Sequence, residues 1–439
     1  MQKPAVPLLI YDFATQAAEV ALNKGMPGIR VQYFRGPVWA KTPEQIKKQI
    51  VEGINPITKQ PVMKELVGHL TRPLTAEEKR TGELKRDKGP LTFTGTSDEL
   101  QQLFLEKRFT DFMPVILPTE EKVAEMLKAT SHQPDEVLGK MNPGSEAGET
   151  WTYTVKDAAV NAVMAGAKPE YFPVILALGS SGMTSVNVSD NGFAAGAVIN
   201  GNIRDEIGLN YEIGAVGPYA HANVAIGRAW NLLSINGGNC GKVGTTYMGT
   251  VGNAQNALAT IIAENERDSP FKPLSVRRGF KEGENVATLL NGWGVLSAAN
   301  WKVNRWGPDM NYPQIIKDIY DQQNPGLFGT FIILSPPIAN FVRDAGFDTI
   351  EKLTEWVTQS ANAPAAKAPA ARPAGAQAGG PPPGAKAGPA GAQGGPGGRG
   401  GFGFGRSNFN VIVTGGTNNN YWMAGGLMVL QSIPIDKWR

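Results

Sequence analysis

Apolar and polar positions alternate along the second half of the chain in a way that predicts strands and helices in turn. Residues 285–290 and 329–335 are short, nearly continuous apolar runs, which are typical of buried strands. Residues 221–235 have helical spacing and are followed by Gly237 and Gly238, which end a helix. The same criteria predict helices over residues 11–24, 99–107, 121–129, 158–167, 313–322, 336–345 and 349–358. This alternation predicts an α/β fold with a mixed, partly parallel sheet and flanking helices.

Two apolar segments fit more than one element. Residues 171–178 could form a buried strand, but Pro169 at the first turn and Ala177 favour a helix. Residues 257–263 fit a strand or a short helix. Threonines at helix starts, Thr96, Thr119 and Thr154, are candidate caps, because a hydroxyl can accept a hydrogen bond from a free amide of the first turn.

The N-terminal region, residues 1–92, is predicted to be a small α/β unit. Residues 6–11 resemble a strand, and residues 28–34 alternate as a strand does. The unit begins abruptly with that first strand, so it resembles the back half of a Rossmann-like domain. Residues 93–360 would then form the main α/β domain.

A change of composition marks the last boundary. Residues 361–405 contain 14 Gly and 8 Pro and no aliphatic residue larger than Ala, so they cannot bury enough apolar surface to offset the entropy of ordering. We interpret them as a long disordered Pro/Gly/Ala tether. Residues 408–414 are β-rich again, and an isolated strand is unstable in water. The segment 406–439 is therefore expected to return to the main domain.

Charge and composition exclude several functions. The formal net charge of +3 arises from residues 361–406, which hold five cations and no acid, so it does not indicate a nucleic-acid-binding face. A single arginine–glycine box at residues 397–406 is too little for an RNA-binding domain. One cysteine and three histidines argue against a disulfide framework and a multi-ligand metal centre. No apolar run of membrane-spanning length occurs, and we expect a cytoplasmic protein that does not contact membranes.

Four side chains are candidates for acid–base or binding chemistry. Glu264 and Glu266 follow an apolar run and would share one face, as a metal or general-base pair or simply as part of a solvated loop. His221 lies at a predicted helix start, which makes it a candidate neutral donor or base, although a local hydrogen bond would also explain its position. Arg228 lies among apolar residues and needs a carboxylate, from a structural salt bridge or from a substrate.

Loop residues supply the remaining candidates. Cys240 lies near Lys242, whose charge would favour a thiolate, although an incidental loop cysteine is the alternative. The glycine-rich stretches 179–182 and 237–242 do not fit a phosphate-binding loop and are either helix caps and turns or a backbone anion site. Asn418 and Asn419 follow a predicted strand, where α/β proteins place ligands.

Several stretches together resemble a known family. They are residues 108–127, 161–173, 223–229 and 262–266, with Ser269-Pro270 and Arg278-Gly279. The chain resembles, over roughly residues 95–360 and 409–420, the bacterial UGSC-motif (seleno)proteins, a largely uncharacterised family. That family is named for a selenocysteine- or cysteine-Gly-Ser-Cys element near the front of its α/β domain, which this chain lacks. The family's Gly-Trp-Thr-Asp-Gly-Leu-Pro pattern is altered here to Arg108-Phe-Thr-Asp-Phe-Met-Pro114.

The resemblance implies one subunit of a thiol- or selenol-dependent enzyme, redox or bond-cleaving, that acts on a small anionic molecule. The missing element suggests that a short partner chain supplies the nucleophile, or that this copy has lost the chemistry. A lone cysteine cannot run a dithiol cycle without a partner. On this interpretation Asp111, Glu264 and Glu266 do proton work together with His221, and Cys240 is a candidate resolving thiol. His221, Asn223, Arg228, Lys242, Asn418 and Asn419 are the candidates for substrate binding, and no cofactor is assigned.

Two other classes of function remain open. A non-catalytic structural or regulatory subunit would carry the flexible tether and would pair Arg228 with Glu264 or Glu266. A self-contained lyase or hydrolase would bind a hard metal such as Mg²⁺ through Asp111, Glu264 and Glu266.

Overall fold

The computed structural model of the chain describes residues 5–38, 41–82, 92–141, 150–186, 192–297, 310–322, 329–359 and 409–439. The predicted tether, residues 361–405, lies outside the described residues. The fold is α/β, as the alternation of elements predicts, and it contains parallel and antiparallel strand pairs. None of the helices in the described ranges is both long and apolar enough to cross a membrane.

The strands are β1 (Leu8–Ile10), β2 (Gln32–Phe34), β3 (Val137–Met141), β4 (Trp151–Thr154), β5 (Ala194–Asn200), β6 (Thr260–Ala263), β7 (Val286–Ser297), β8 (Thr330–Leu334), β9 (Phe409–Val413) and β10 (Trp422–Pro434). The helices are α1 (Ala14–Asn23), α2 (Pro43–Ile50), α3 (Val62–Thr71), α4 (Ser97–Glu106), α5 (Glu120–Leu127), α6 (Val155–Met164), α7 (Phe172–Ser180), α8 (Ile203–Glu206), α9 (His221–Gly238), α10 (Leu274–Arg277), α11 (Tyr312–Gln322), α12 (Pro336–Asp344) and α13 (Ile350–Gln359).

The main sheet consists of two similar halves. Its order is β6-β5-β7-β10-β8-β9, with β5 and β6 parallel, β8 and β9 parallel, and the other pairs antiparallel. Each half therefore has the same plan, in which two parallel strands joined by helices are followed by an antiparallel strand beside the first. The two third strands, β7 and β10, meet at the centre. This pseudo-twofold duplication has no counterpart in a fixed sequence period.

The sheet curls until its two edge strands meet at their carboxyl ends. The amide of Asn265, just after β6, donates to the Val413 carbonyl at the end of β9 at 2.7 Å. The Thr414 hydroxyl donates to the Ala263 carbonyl at 2.7 Å. At the centre, Gly294 adopts a positive φ of 95°, which a side chain would disfavour, beside a register shift between β7 and β10.

Curling gives the sheet an inner and an outer face. Alternate side chains of the strands, with Leu274, form the inner core, namely Val198, Ile262, Leu290, Val295, Phe331, Ile333, Ile412 and Leu427. The other face packs against two helical layers. The layer of α5, α6, α7 and α9 covers β5 and β6, and the layer of α11, α12 and α13 covers β8 and β9.

Several local predictions are confirmed. Residues 172–180 form a helix, and residues 260–263 form a strand after a short 3₁₀ turn. Thr96, Thr119 and Thr154 cap α4, α5 and α6. Strand β9 returns to the main sheet beside β8, as expected for the C-terminal segment.

The N-terminal unit has very little core. Strands β1 and β2 form a two-stranded parallel sheet, accompanied by α1, α2 and α3. The apolar side chains buried in residues 5–38 and 41–82 are Ala21, Phe34 and Val62, and an equal number of polar ones, Arg30, Gln32 and Asn55, are buried as well. Arg30 forms a two-point ion pair with Glu78 at 2.8 Å, which ties β2 to the segment after α3.

Candidate functional site

The carboxyl ends of the parallel strand pairs bring a polar cluster together. Asn200 is the last residue of β5, and Glu264 and Glu266 follow β6. The Asn200 side-chain amide donates to Glu264 Oε2 at 2.8 Å and to Glu266 Oε1 at 2.9 Å. The two glutamates therefore converge on one donor, although they do so from a loop and not as alternate residues of a strand. We call Asn200, Arg204, Glu264 and Glu266 the carboxylate cluster.

Glu264 is the inner member of the carboxylate cluster. It is 2% exposed, and it accepts hydrogen bonds from the amide of Leu274 at 2.8 Å and of Val413 at 3.5 Å. Burial raises the pKa of this carboxyl, and the positive charge of Arg277 and the hydrogen bonds oppose that shift only in part. Because Val413 belongs to the opposite edge strand, Glu264 also links the two halves of the sheet.

Glu266 is the outer member. It accepts from the amide of Gly201 at 2.9 Å and lies 3.3 Å from Arg204 Nε. Arg204 is itself buried, donates to the Gly201 carbonyl at 2.8 Å and to the Glu264 carbonyl, and lies over the Tyr211 ring. The Glu266 side chain is 14% exposed, so of the two carboxylates it is the one that solvent can reach.

The chemistry of this cluster follows from its charges. The carboxylates of Glu264 and Glu266 share the Asn200 amide as a donor. Arg204 lies close to Glu266, and the charge of Arg277 acts on Glu264. A buried carboxylate beside a more accessible one can hold and pass on a proton. Metal binding is a poorer fit, because Arg204 already neutralises Glu266. Within the described ranges, no group of three or more His, Cys, Asp and Glu side chains is placed to hold a metal ion.

Asp111 and Arg228 lie elsewhere and bind each other. Arg228 Nε and Nη2 donate to the two Asp111 carboxylate oxygens at 2.8 and 2.9 Å, and Nη2 also donates to the Pro114 carbonyl at 2.7 Å. The hypothesis that Arg228 pairs with Glu264 or Glu266 is therefore wrong. Asp111 likewise does not join the two glutamates as a metal ligand. The two-point pair fixes the loop before α5, and it occupies the guanidinium that was a candidate substrate clamp.

His221 and Asn223 begin α9 and have local partners. His221 Nδ1 lies 3.2 Å from the Tyr171 hydroxyl, and the histidine is exposed. Asn223 is buried, accepts from the Asn210 amide at 2.9 Å and donates to the Ile261 carbonyl at 3.1 Å. Asn223 thus ties α9 to β6 and to the preceding loop, which is a structural role.

Cys240 is not placed to act as an activated thiol. It is 1% exposed, just beyond α9, and burial raises the pKa of its thiol far more than the nearby charge of Lys242 lowers it. The Lys242 ammonium lies 5.9 Å from the centre of the Trp151 ring. The expected activation of Cys240 by Lys242 is therefore outweighed by burial.

The loop after β9 contacts the end of β6 through its first residues. The Asn265 side chain donates to the Gly415 carbonyl at 3.1 Å, and Thr414 contacts the end of β6. Asn418 and Asn419 lie further along the loop and are exposed. Thr414 and Gly415, and not the predicted Asn418 and Asn419, make the contacts with the end of β6.

Sequence reasoning missed Asn200 and Arg204. The Asn200-Gly201 pair, a common turn signal after an apolar run, marks the end of β5 and could have identified the first of them. Arg204 has no local signal, because its contacts with Glu264 and Glu266 join residues about sixty positions apart.

Comparison with protein-family models found no match, and neither did comparisons with curated proteins and with solved structures.

Proposed function

We propose that this chain is one subunit of a hetero-oligomeric, thiol- or selenol-dependent enzyme that acts on a small anionic molecule. A short partner chain brings the nucleophilic sulfur or selenium and completes the N-terminal unit. One observation supports the partner most strongly, which is that the described residues of this unit bury only three apolar side chains. The thiol chemistry and the anionic substrate rest on the resemblance to the UGSC family.

The exposed surface of the N-terminal unit supports a missing partner. Large apolar side chains that are about half exposed include Val51, Ile54, Ile57 and Val67. A two-stranded parallel sheet is marginal by itself, because most of its backbone groups lack a ladder partner. An added strand would extend the backbone ladder, and its chain would cover apolar side chains.

The state of Cys240 supports a nucleophile that comes from outside this chain. A thiol reacts as the thiolate, and a buried thiol with a raised pKa stays protonated and inaccessible. The partner would therefore carry the reactive group, in a cytoplasmic compartment that keeps it reduced. Glu266, backed by Glu264, would move the proton.

The first test is mass spectrometry of the untagged protein purified from its native cell, intact and under non-denaturing conditions. We expect a co-purifying small subunit that carries a Cys or Sec. Purification as this chain alone, with no partner, would contradict the proposal.

The second test locates the reactive group. The purified complex is treated with iodoacetamide and digested, and the labelled residue is identified. We expect the label on the partner and unchanged labelling in the Cys240→Ala variant. Rapid labelling of Cys240 in the native complex would refute the role given to the partner.

The third test locates the interface. Hydrogen exchange of the chain with and without its partner should show new protection at residues 8–10 and 32–34. Amides of the inner core, such as that of Ile333, serve as the control and should not change. Protection confined to the main sheet would place the interface elsewhere and overturn the strand-addition model.

A further inference from the structure

The loop between α4 and α5 presents two large apolar side chains to solvent. Phe112 is 71% exposed and Met113 is 62% exposed, and Ile116 nearby is 48% exposed. Single exposed apolar residues are common, but two consecutive ones at this exposure, with a third close by, are typical of an interaction site.

The backbone of this loop is strained at the point of presentation. Phe112 has a φ of 68° and Arg108 one of 56°, in the left-handed region that glycine favours. For a bulky residue this conformation is unfavourable, and an exposed ring recovers little in return. Stability of this chain alone therefore does not explain a phenylalanine at position 112.

An ion pair and two hydrogen bonds hold the strained loop in place. The Asp111–Arg228 pair fixes its middle, and the Asn236 side chain donates to the Phe109 carbonyl at 2.9 Å. The buried Thr110 hydroxyl accepts from the Phe112 amide at 3.1 Å. A loop that is ordered before binding loses little entropy on association, so its apolar side chains can contribute fully.

A groove of matching chemistry lies on the other helical layer. It has a volume of about 440 Å³ and is formed by α11, α12 and the segment that leads into α13. Its lining consists of Met310, Asn311, Pro313, Phe341, Ala345, Phe347 and Trp356. The Phe347 and Trp356 rings lie 5.2 Å apart, and Phe341 is 42% exposed. Aromatic and methionine side chains such as these pack favourably against an inserted phenylalanine and methionine.

We propose that Phe112 and Met113 of one copy of this chain insert into the α11–α12–α13 groove of a second copy. The loop does not fill its own groove, because Phe112 is exposed and Arg228 holds the loop against α9, over the other half of the sheet. The contact joins two different surfaces, so it is head-to-tail, and its repetition produces a ring or a filament. This self-association goes beyond the proposed function and does not depend on a partner chain.

The main test is sedimentation of the full chain over a range of concentrations. The wild type should self-associate, and Phe112→Ala should weaken association roughly thirtyfold, as for a central interface residue. Val251→Ala, which changes a side chain that is 96% exposed elsewhere, is the matched control and should associate as the wild type does. A wild type that stays monomeric at all concentrations would overturn the proposal.

A mixing experiment identifies the geometry. Ala345→Arg should block the groove, whereas Gln322→Arg on α11, outside the groove, should not. Neither Phe112→Ala nor Ala345→Arg should associate alone, but a mixture should form dimers, because each variant retains one intact half of the contact. The head-to-tail contact would be overturned if Ala345→Arg associated as strongly as the wild type. It would also be overturned if the mixture of the two folded variants formed no dimer.

Phe112→Gly separates binding from folding. Glycine relieves the left-handed strain, so we expect a small rise in melting temperature, of the order of 2 °C, together with the same loss of association. Phe112→Ala, which keeps the strain, should not show the rise. Unchanged association of the glycine variant would contradict the proposal even if other variants failed to fold.

Discussion

The N-terminal unit and the six-stranded sheet bury their side chains very differently. In the described part of the N-terminal unit, buried polar side chains equal buried apolar ones in number, whereas each helical layer and the strands it covers share a core of more than a dozen buried apolar side chains. Local signals for strands and helices are present in both regions. This difference shows that the local sequence pattern specifies individual helices and strands. A region is stable by itself only when it has enough helices and strands to enclose a hydrophobic core.

The largest expected effect tests whether stability is concentrated in the sheet. Phe331→Ala removes a fully buried ring from the inner core and should lower the free energy of unfolding by about 3–5 kcal/mol. The matched change in the N-terminal unit, Phe34→Ala, should leave the main denaturant transition in place and increase hydrogen exchange only within residues 5–82. If Phe331→Ala and Phe34→Ala lowered the free energy of unfolding equally in the main denaturant transition, the N-terminal unit and the sheet would not differ in stability as proposed.

A second prediction concerns Glu264, which links the two halves of the main sheet. The pKa of Glu264 is raised in the folded protein, so its contribution is present below the ordinary pKa near 4.5 and is lost as pH rises through the folded value. Glu264→Gln should therefore flatten the decline of stability that begins as pH rises above about 4.5. Urea unfolding at several pH values measures this, with Glu282→Gln on the surface as control. Parallel curves for both variants and the wild type would contradict it.

A third prediction concerns the attachment of the C-terminal segment. His132 Nδ1 lies 2.9 Å from both oxygens of Glu136, Nε2 lies 2.7 Å from the Lys437 carbonyl, and the ring lies 4.6 Å from that of Trp438. Both ring nitrogens face acceptors, so the imidazolium fits best, and the carbonyl followed by Glu136 raises the His132 pKa.

The His132 contribution should be complete below about pH 6.5 and should be lost as pH rises through the folded pKa. His132→Ala should cost about 1–2 kcal/mol at pH 6 and less at pH 9. Denaturant unfolding at the two pH values measures this, and His69→Ala, in the N-terminal unit, serves as the comparison. A larger loss at pH 9 would contradict the sign.

The smallest expected effect concerns the loop that carries Phe112. Arg228→Lys cannot make the two-point contact with Asp111, so it should cost about 1 kcal/mol and speed hydrogen exchange over residues 109–114. Lys128→Arg, in an exposed pair, should change neither. Unchanged exchange in Arg228→Lys would show that other contacts order this loop.

Much of the fold followed from local patterns, and the exceptions have physical reasons. Helix α9, strand β8 and the threonine caps carry their own signals. Strand β5, with the sequence Ala-Ala-Gly-Ala-Val-Ile-Asn, does not, because small residues suit this position only when neighbouring strands and helices pack closely on both faces. The length of β10 was also missed, since Gly425 and Gly426 within it weaken a local strand signal.

The candidate site was predicted only in part. Glu264 and Glu266 were chosen from their position after an apolar run, and the structure brings them together. Arg228 was recognised as needing an anion, but no local pattern could identify Asp111 as that anion. Likewise, the burial of Cys240 depends on tertiary packing around it, which a loop sequence with glycine and lysine does not reveal.

The position of β10 has a consequence for synthesis of the chain on the ribosome. This strand follows the other five strands of the main sheet in the sequence, yet it lies between β7 and β8. Until it emerges, the two halves have no shared strand, and β7 and β8 each expose an unpaired edge. Such edges invite association with other nascent chains, so chaperones that bind extended apolar segments would matter most until β10 has been synthesised.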